Sequence, residues 1–181
     1  MRLGVISDVH ANLDALRAVV AEVRRRGVDR WVSAGDLIGY GPHPNECVEV
    51  VAELGATGVA GNHELIVLGR LPGVGSSDRA HVSHRWTREA LRGDVVDYLA
   101  ALPLRVEIGP VVVSHGSLDD PEEYVRTAGQ AAAQLDRLQR SHPSARLLIL
   151  GNTHRQLLVG EGNGVVPART GTAPSPSPAS S

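Results

Sequence analysis

Phenylalanine and lysine are absent from this 181-residue sequence, cysteine occurs once, and aromatic residues make up only 3% of it. With so few rings the core must be built from Val, Leu, Ile and Ala, and recognition of nucleic acid by base stacking is a poor expectation. All 18 basic residues are arginines, a bias of composition that carries no functional weight. The formal net charge of −2 argues against a general nucleic-acid or anionic-membrane binder, since such proteins displace counterions or meet headgroups with a basic surface. The single Cys47 excludes an intramolecular disulfide and a thiolate-rich zinc cluster. No apolar run reaches membrane-spanning length, and the start reads as a strand rather than as a signal segment. The expected location is the cytoplasm, with no membrane partner. A Gly-x-Gly-x-x-Gly turn after the first strand is also missing, which weighs against a metal-free nucleotide-binding α/β domain.

What is present reads as one α/β domain over residues 1–166, followed by a Pro/Ser-rich tail over 167–181 too poor in apolar residues to order itself. Leu3 to Ile6 is a short apolar run suited to a strand covered on both faces. Leu13 to Arg26 places Leu13, Leu16, Val20 and Val23 at helical spacing, with Asn12 to cap the start and Gly27 past the end. Trp31 to Ala34, Asn45 to Leu54 and Thr57 to Ala60 continue as strand, helix and strand, an alternation that implies parallel pairing. Leu65 to Ser77 reads as a mobile glycine-rich loop over the site. Helices are expected around His81 to Leu91, Asp94 to Leu102 and Ala128 to Arg140. Leu104 to Ser114 reads as a hairpin through Gly109-Pro110, Leu147 to Leu150 as a further strand, and Leu157 to Val166 as a last hairpin.

Five stretches put ligand-type side chains directly after strand-like runs. They are Asp8-Val9-His10, Gly35-Asp36, Gly61-Asn62-His63-Glu64, Ser114-His115-Gly116 and Gly151-Asn152-Thr153-His154. Each has a plainer reading alone: Asp8 as a turn cap, Asp36 as a turn carboxylate, Asn62 as a left-handed turn residue, His115 as a satisfied strand-end histidine. Together the plain readings fail, because a parallel sheet gathers the carboxyl ends of its strands along one edge, where open α/β folds place their ligands. Carboxylate, imidazole and amide oxygen suit Mn²⁺, Fe²⁺, Zn²⁺ or Co²⁺ better than copper(I) or Ca²⁺.

The order of these motifs resembles the calcineurin-like metallophosphoesterases, whose pattern runs Asp-x-His, Gly-Asp, Gly-Asn-His-Asp or -Glu, a later His, then Gly-His-x-His. The loop Gly39-Tyr40-Gly41-Pro42-His43-Pro44-Asn45-Glu46-Cys47 is similar to that of small prokaryotic members. The resemblance implies a two-sheet α/β sandwich with flanking helices. It implies that Asp8, His10, Asp36 and His154 hold one divalent ion, and that Asp36 bridges to a second held by Asn62 and His115. His63 would be the catalytic histidine. Two such ions roughly 3.5–4 Å apart lower the pKa of a bridging water to give a hydroxide nucleophile. Mn²⁺ is the first expectation, with Ni²⁺, Fe²⁺, Zn²⁺ and Co²⁺ as alternatives, and the substrate is a small phosphate monoester or diester. Arg155, beside His154, is either a phosphate clamp or a surface arginine.

Two departures from the pattern set the competing reading. Position 152 is Asn where the family has the first His of Gly-His-x-His, and an amide oxygen is the poorer donor, so Asn152 predicts a weakened second metal site. Members of this type also continue past the last histidine with further strands. The second sheet is therefore expected to be incomplete, with an open edge that invites a homodimer. The alternative to an active enzyme is an impaired, shortened relative that binds phosphate, a nucleotide or a partner.

Overall fold

The computed structural model describes residues 1–73 and 77–160, together with the backbone of 165–166. Strands β1 (Leu3–Ile6), β2 (Arg30–Ser33) and β3 (Thr57–Gly58) form a parallel sheet in the order β1-β2-β3. Helices α1 (Leu13–Arg26) and α2 (Pro44–Glu53) are the connections that parallel pairing requires. The ends of α1 follow its sequence: the Asn12 side chain accepts from the Ala15 backbone N–H, and Gly27 leaves the helix at φ 70°. That angle suits a residue without Cβ.

A second sheet has the order β4-β5-β6, in which β4 (Arg105–Ile108) pairs antiparallel with β5 (Val111–Ser114) and β5 pairs parallel with β6 (Leu147–Ile149). The expected last hairpin is a separate pair, β7 (Leu158–Val159) with β8 (Val165–Val166). Among the described residues β6 is therefore an edge of its sheet. Helices α3 (Asn62–Val67), α4 (Asp78–Ala90) and α5 (Gly93–Ala101) lie between β3 and β4 in the chain, and α6 (Ala128–Ser141) lies between β5 and β6.

The strand β5 shows how the layers form. Val111 and Val113 meet Val32, Ala34 and Val59 of the first sheet, while Val112 points the other way onto Leu138 of α6. Alternate residues face opposite sides, and both sides are covered, which is why the run is continuously apolar. The outer face of the first sheet is closed by Ile6 packing with Leu13, Leu16 and Val20 of α1, Val48 and Val51 of α2, and Val95 and Leu99 of α5. The fold is the two-sheet sandwich with flanking helices. Each fully buried aliphatic side chain in these layers contributes roughly 1.5–3 kcal/mol.

One expectation needs correction. The proposed loop from Leu65 to Ser77 begins in helix, because Leu65, Ile66 and Val67 are buried members of α3 and not part of a cover over the site. The expectation of a disordered tail over 167–181 lies outside the described residues. No helix of the described residues is long and apolar enough to cross a membrane.

Candidate metal centre

The side chains singled out in the sequence converge because the chain turns left-handed as it leaves each strand. Asp8 (φ 55°), His10 (50°), Asp36 (55°), Asn152 (67°) and His154 (51°) are five of the seven non-glycine residues with positive φ among the described residues. Each such position costs an L-residue roughly 1–2 kcal/mol, and strain of this kind concentrates at functional sites. It is held by backbone bonds that lace the two loops together beyond their strands: Asp8 N–H to Gly35 O, His10 N–H to Asp36 O, and Ala11 N–H to Leu37 O.

Asp36, 2% exposed, is the hub. Its Oδ2 lies 3.2 Å from His115 Nε2, 3.8 Å from His10 Nε2 and 3.9 Å from His63 Nε2. Its Oδ1 accepts the His63 backbone N–H. A Cβ on Gly61 would stand 2.1 Å from that same Oδ1, so only glycine lets the chain entering α3 pass this close. To one side of the hub, His154 Nε2 lies 3.0 Å from His10 Nε2 and 3.4 Å from Asp8 Oδ1. To the other, Asn62 Oδ1 lies 3.1 Å from His115 Nε2.

The tautomers of two of these rings follow from their far nitrogens. His115 Nδ1 meets Ala34 O at 2.6 Å and His10 Nδ1 meets Ile38 O at 3.3 Å. A carbonyl only accepts, so each Nδ1 carries the proton and each neutral ring turns a bare Nε2 inward. Lone pairs of nitrogen and carboxylate oxygen then face one another at 3.0–3.8 Å, an arrangement that calls for a cation between them. The residues therefore fit divalent metal: within each of the groupings Asp8-His10-His154, His10-Asp36-His63 and Asp8-Asp36-His115 one ligand-type atom per residue lies within 4.8 Å of the others.

Without metal, protons must meet the same demand. Burial alone would lower the His115 value, but the Asp36 hydrogen bond and charge raise it well above the ordinary imidazole range. Burial pushes Asp36 up, and the His115 hydrogen bond and charge outweigh it and carry it below the ordinary carboxyl value. His63 is brought down to about 4, chiefly by burial and against the pull of Asp36.

The structure brings Asn62, His63, His115 and His154 together with Asp36 and His10. Asn152 is buried beside Asp8, to whose Oδ1 its backbone N–H donates, while its Nδ2 donates to Glu123 O. Only its Oδ1 is left to serve as a donor atom. Arg155 does not line the cleft of about 310 Å³ that holds these residues, whereas Arg126, Tyr40 and Tyr124 do. Arg155 lines the groove beside α6, with Arg146 and Leu158. The Arg126 guanidinium lies 4.0 Å from the Tyr124 ring centroid, and Tyr40 packs on His63 with centroids 4.6 Å apart.

Glu64 follows His63 directly, but the sequence alone assigns it no role. Fully buried, it accepts from the backbone N–H groups of Gly61, Asp36, Leu37 and Ile38 at 2.7–3.2 Å. Burial, then the Asp36 charge, pushes its carboxyl upward against the pull of these donors. His84 is buried against His63.

The family model of calcineurin-like phosphoesterases matches residues 1–170. An uncharacterized protein of Methanocaldococcus jannaschii is 36% identical over 129 residues, which cover 68% of this chain and 53% of that protein. This chain therefore spans about half the length of that relative. The crystal structure of a metallophosphoesterase from Sphaerobacter thermophilus superposes with a TM-score of 0.71 at 40% identity, over 87% of this chain and 62% of that one. A hypothetical protein of Pyrococcus horikoshii superposes with a TM-score of 0.72 at 17% identity, over 84% of this chain and 69% of that one, a likeness of fold alone.

Proposed function

Since the chain belongs to the calcineurin-like phosphoesterase family, we propose that its cleft hydrolyses a small phosphate monoester or diester with the help of two divalent cations. The observation that carries this reading is the convergence of Asp8, His10, Asp36, His115 and His154, with His10 Nε2 3.0 Å from His154 Nε2 and Asp36 Oδ2 3.2 Å from His115 Nε2. Asp8, His10, Asp36 and His154 would hold one ion, and Asp36, Asn62, His115 and Asn152 the other. Bound there, the ions supply Lewis acidity that makes water a nucleophile near neutral pH and draws phosphoryl oxygens into an otherwise acidic protein.

The chain's own residues do the rest. The cleft lining offers no Ser or Cys nucleophile, so water adds to phosphorus and the ester oxygen departs with a proton. His63 Nε2, 3.9 Å from Asp36 Oδ2, stands where a hydrogen bond stabilises the charge that develops on the phosphoryl group or the departing oxygen. Arg126 at the cleft wall takes the clamping role that adjacency to His154 had offered Arg155. Metal-free protein resupplied with Mn²⁺, Ni²⁺ or Zn²⁺ is expected to cleave a chromogenic phosphodiester or its monoester. A folded sample inert with every metal would exclude the enzyme and leave the impaired phosphate-binding relative.

Asn152 favours an unequal pair of sites. With Nδ2 committed to Glu123 O, it offers the second ion one amide oxygen where an imidazole would bind a transition metal more strongly. Asn152→His is expected to tighten the weaker ion and raise the rate at low metal concentration, as titration calorimetry and metal-dependent kinetics will read. Two equally tight ions in the wild type would contradict this account of Asn152.

A further inference from the structure

Helix α4 sends two side chains to the segment that walls His63. Ser83 Oγ accepts the Tyr40 backbone N–H at 2.6 Å, and His84, 4% exposed, places its Nε2 3.0 Å from His63 Nδ1. Gly39 closes the other approach, since a Cβ there would stand 2.2 Å from His63 Nδ1. Among the described residues His84 is the one hydrogen-bond partner of that nitrogen.

One proton lies between the two rings, and there are two ways to place it. If His63 donates, a neutral His84 carries its own proton on Nδ1, which is buried and has no partner among the described residues. If His84 donates from Nε2, its Nδ1 is bare and the unmet group is only a lone pair. A buried N–H without an acceptor is the rarer and costlier defect, so His84 is the donor and His63 Nδ1 the acceptor. The His63 proton then resides on Nε2, the nitrogen facing the cleft.

We infer that His84 is a positioning residue that holds His63 in the Nε2–H tautomer, so that His63 offers the phosphate ester a hydrogen-bond donor and not a metal-binding lone pair. The inference rests on the phosphoesterase reading of the cleft. It also explains how one cleft assigns different tasks to similar rings. His10 and His115 give their Nδ1 protons to backbone carbonyls and turn bare Nε2 atoms inward, whereas His63 faces another imidazole and takes the opposite tautomer.

Nitrogen-15 spectra of the histidine rings, recorded on the full chain both metal-free and loaded with diamagnetic Zn²⁺, separate protonated from bare ring nitrogens. The expected wild-type result is a protonated Nε2 and a bare Nδ1 for His63. His84→Phe fills the space without the hydrogen bond and is expected to give a mixture of tautomers, with kcat reduced about 10–100-fold and KM little changed. His84→Gln keeps an N–H donor and is expected to restore the tautomer and most of kcat. A wild-type His63 protonated on Nδ1, or a His84→Phe protein with the wild-type tautomer and kcat, would overturn the inference. If folded wild type turns over no ester with any metal, the phosphoesterase reading falls, while the tautomer is still decided by the spectrum.

Discussion

Asp36→Asn is expected to lower kcat by more than about 10³-fold, because on the proposed reading Asp36 would serve both ions, whose Lewis acidity is worth several kcal/mol in the transition state. The substitution keeps the size of the side chain and one oxygen, so packing changes little. What it removes is the charge on the atom that lies within 3.9 Å of His115, His10 and His63 Nε2 together. No neighbour replaces it: Asp8 serves the His154 side, and Glu64 is turned to backbone N–H groups. Elemental analysis after dialysis is expected to find at most one ion per chain, and circular dichroism to find the fold intact. An Asp36→Asn protein with two ions and wild-type kcat would remove Asp36 from the centre of the site.

Glu64→Ala is expected to destabilise the protein by about 4 kcal/mol or more. Among the described residues its carboxylate is the sole acceptor for the N–H groups of Asp36, Leu37, Ile38 and Gly61, and each buried donor left unpaired costs about 1–3 kcal/mol. Four at the low end already reach about 4 kcal/mol, and the cavity adds to this. Against a typical domain stability of about 5–15 kcal/mol such a loss leaves little folded protein at raised temperature. Glu64→Gln keeps the volume but turns an amide N–H toward backbone donors, so an intermediate loss of about 2 kcal/mol is expected. Urea unfolding of the metal-free proteins orders the three. A Glu64→Ala midpoint equal to wild type would mean that water or rearranged backbone meets those four groups.

The parts of the site that could be read from the sequence are those where local chemistry and topology coincide. Asp8, Asp36, His115 and His154 each follow a short apolar run, and parallel pairing brings such ends together whatever the detailed packing. Asn12 and Gly27 marked the ends of α1 for the same local reason. Helix α3 escaped notice because it has six residues, too few to display a period, and its start is secured by a Glu64 carboxylate shared with a distant loop. His84 lies on the buried face of α4 with Ala80 and Thr87. A histidine on the apolar stripe of an amphipathic helix was the available signal, and its partner could come only from the fold. Arg126 and Tyr124 carry no spacing signal at all. Arg155 misled by adjacency, since its neighbour His154 sits on a left-handed turn where successive side chains diverge.

The candidate ligands come from both sheets. Asp8, His10, Asp36 and Asn62 follow strands of the first, and His115, Asn152 and His154 follow strands of the second. His10 and His154 are 144 positions apart in the chain. Ions held between them would act as reversible cross-links that close most of the chain into a loop, with no cysteine needed to do so. Because the unfolded chain lacks that loop, filling the site stabilises the fold by mass action, by about 2.7 kcal/mol at a hundredfold excess over Kd. On the proposed reading the same coordination would also clasp the two halves of the sandwich, and a chelator is expected to loosen the fold as it silences the chemistry.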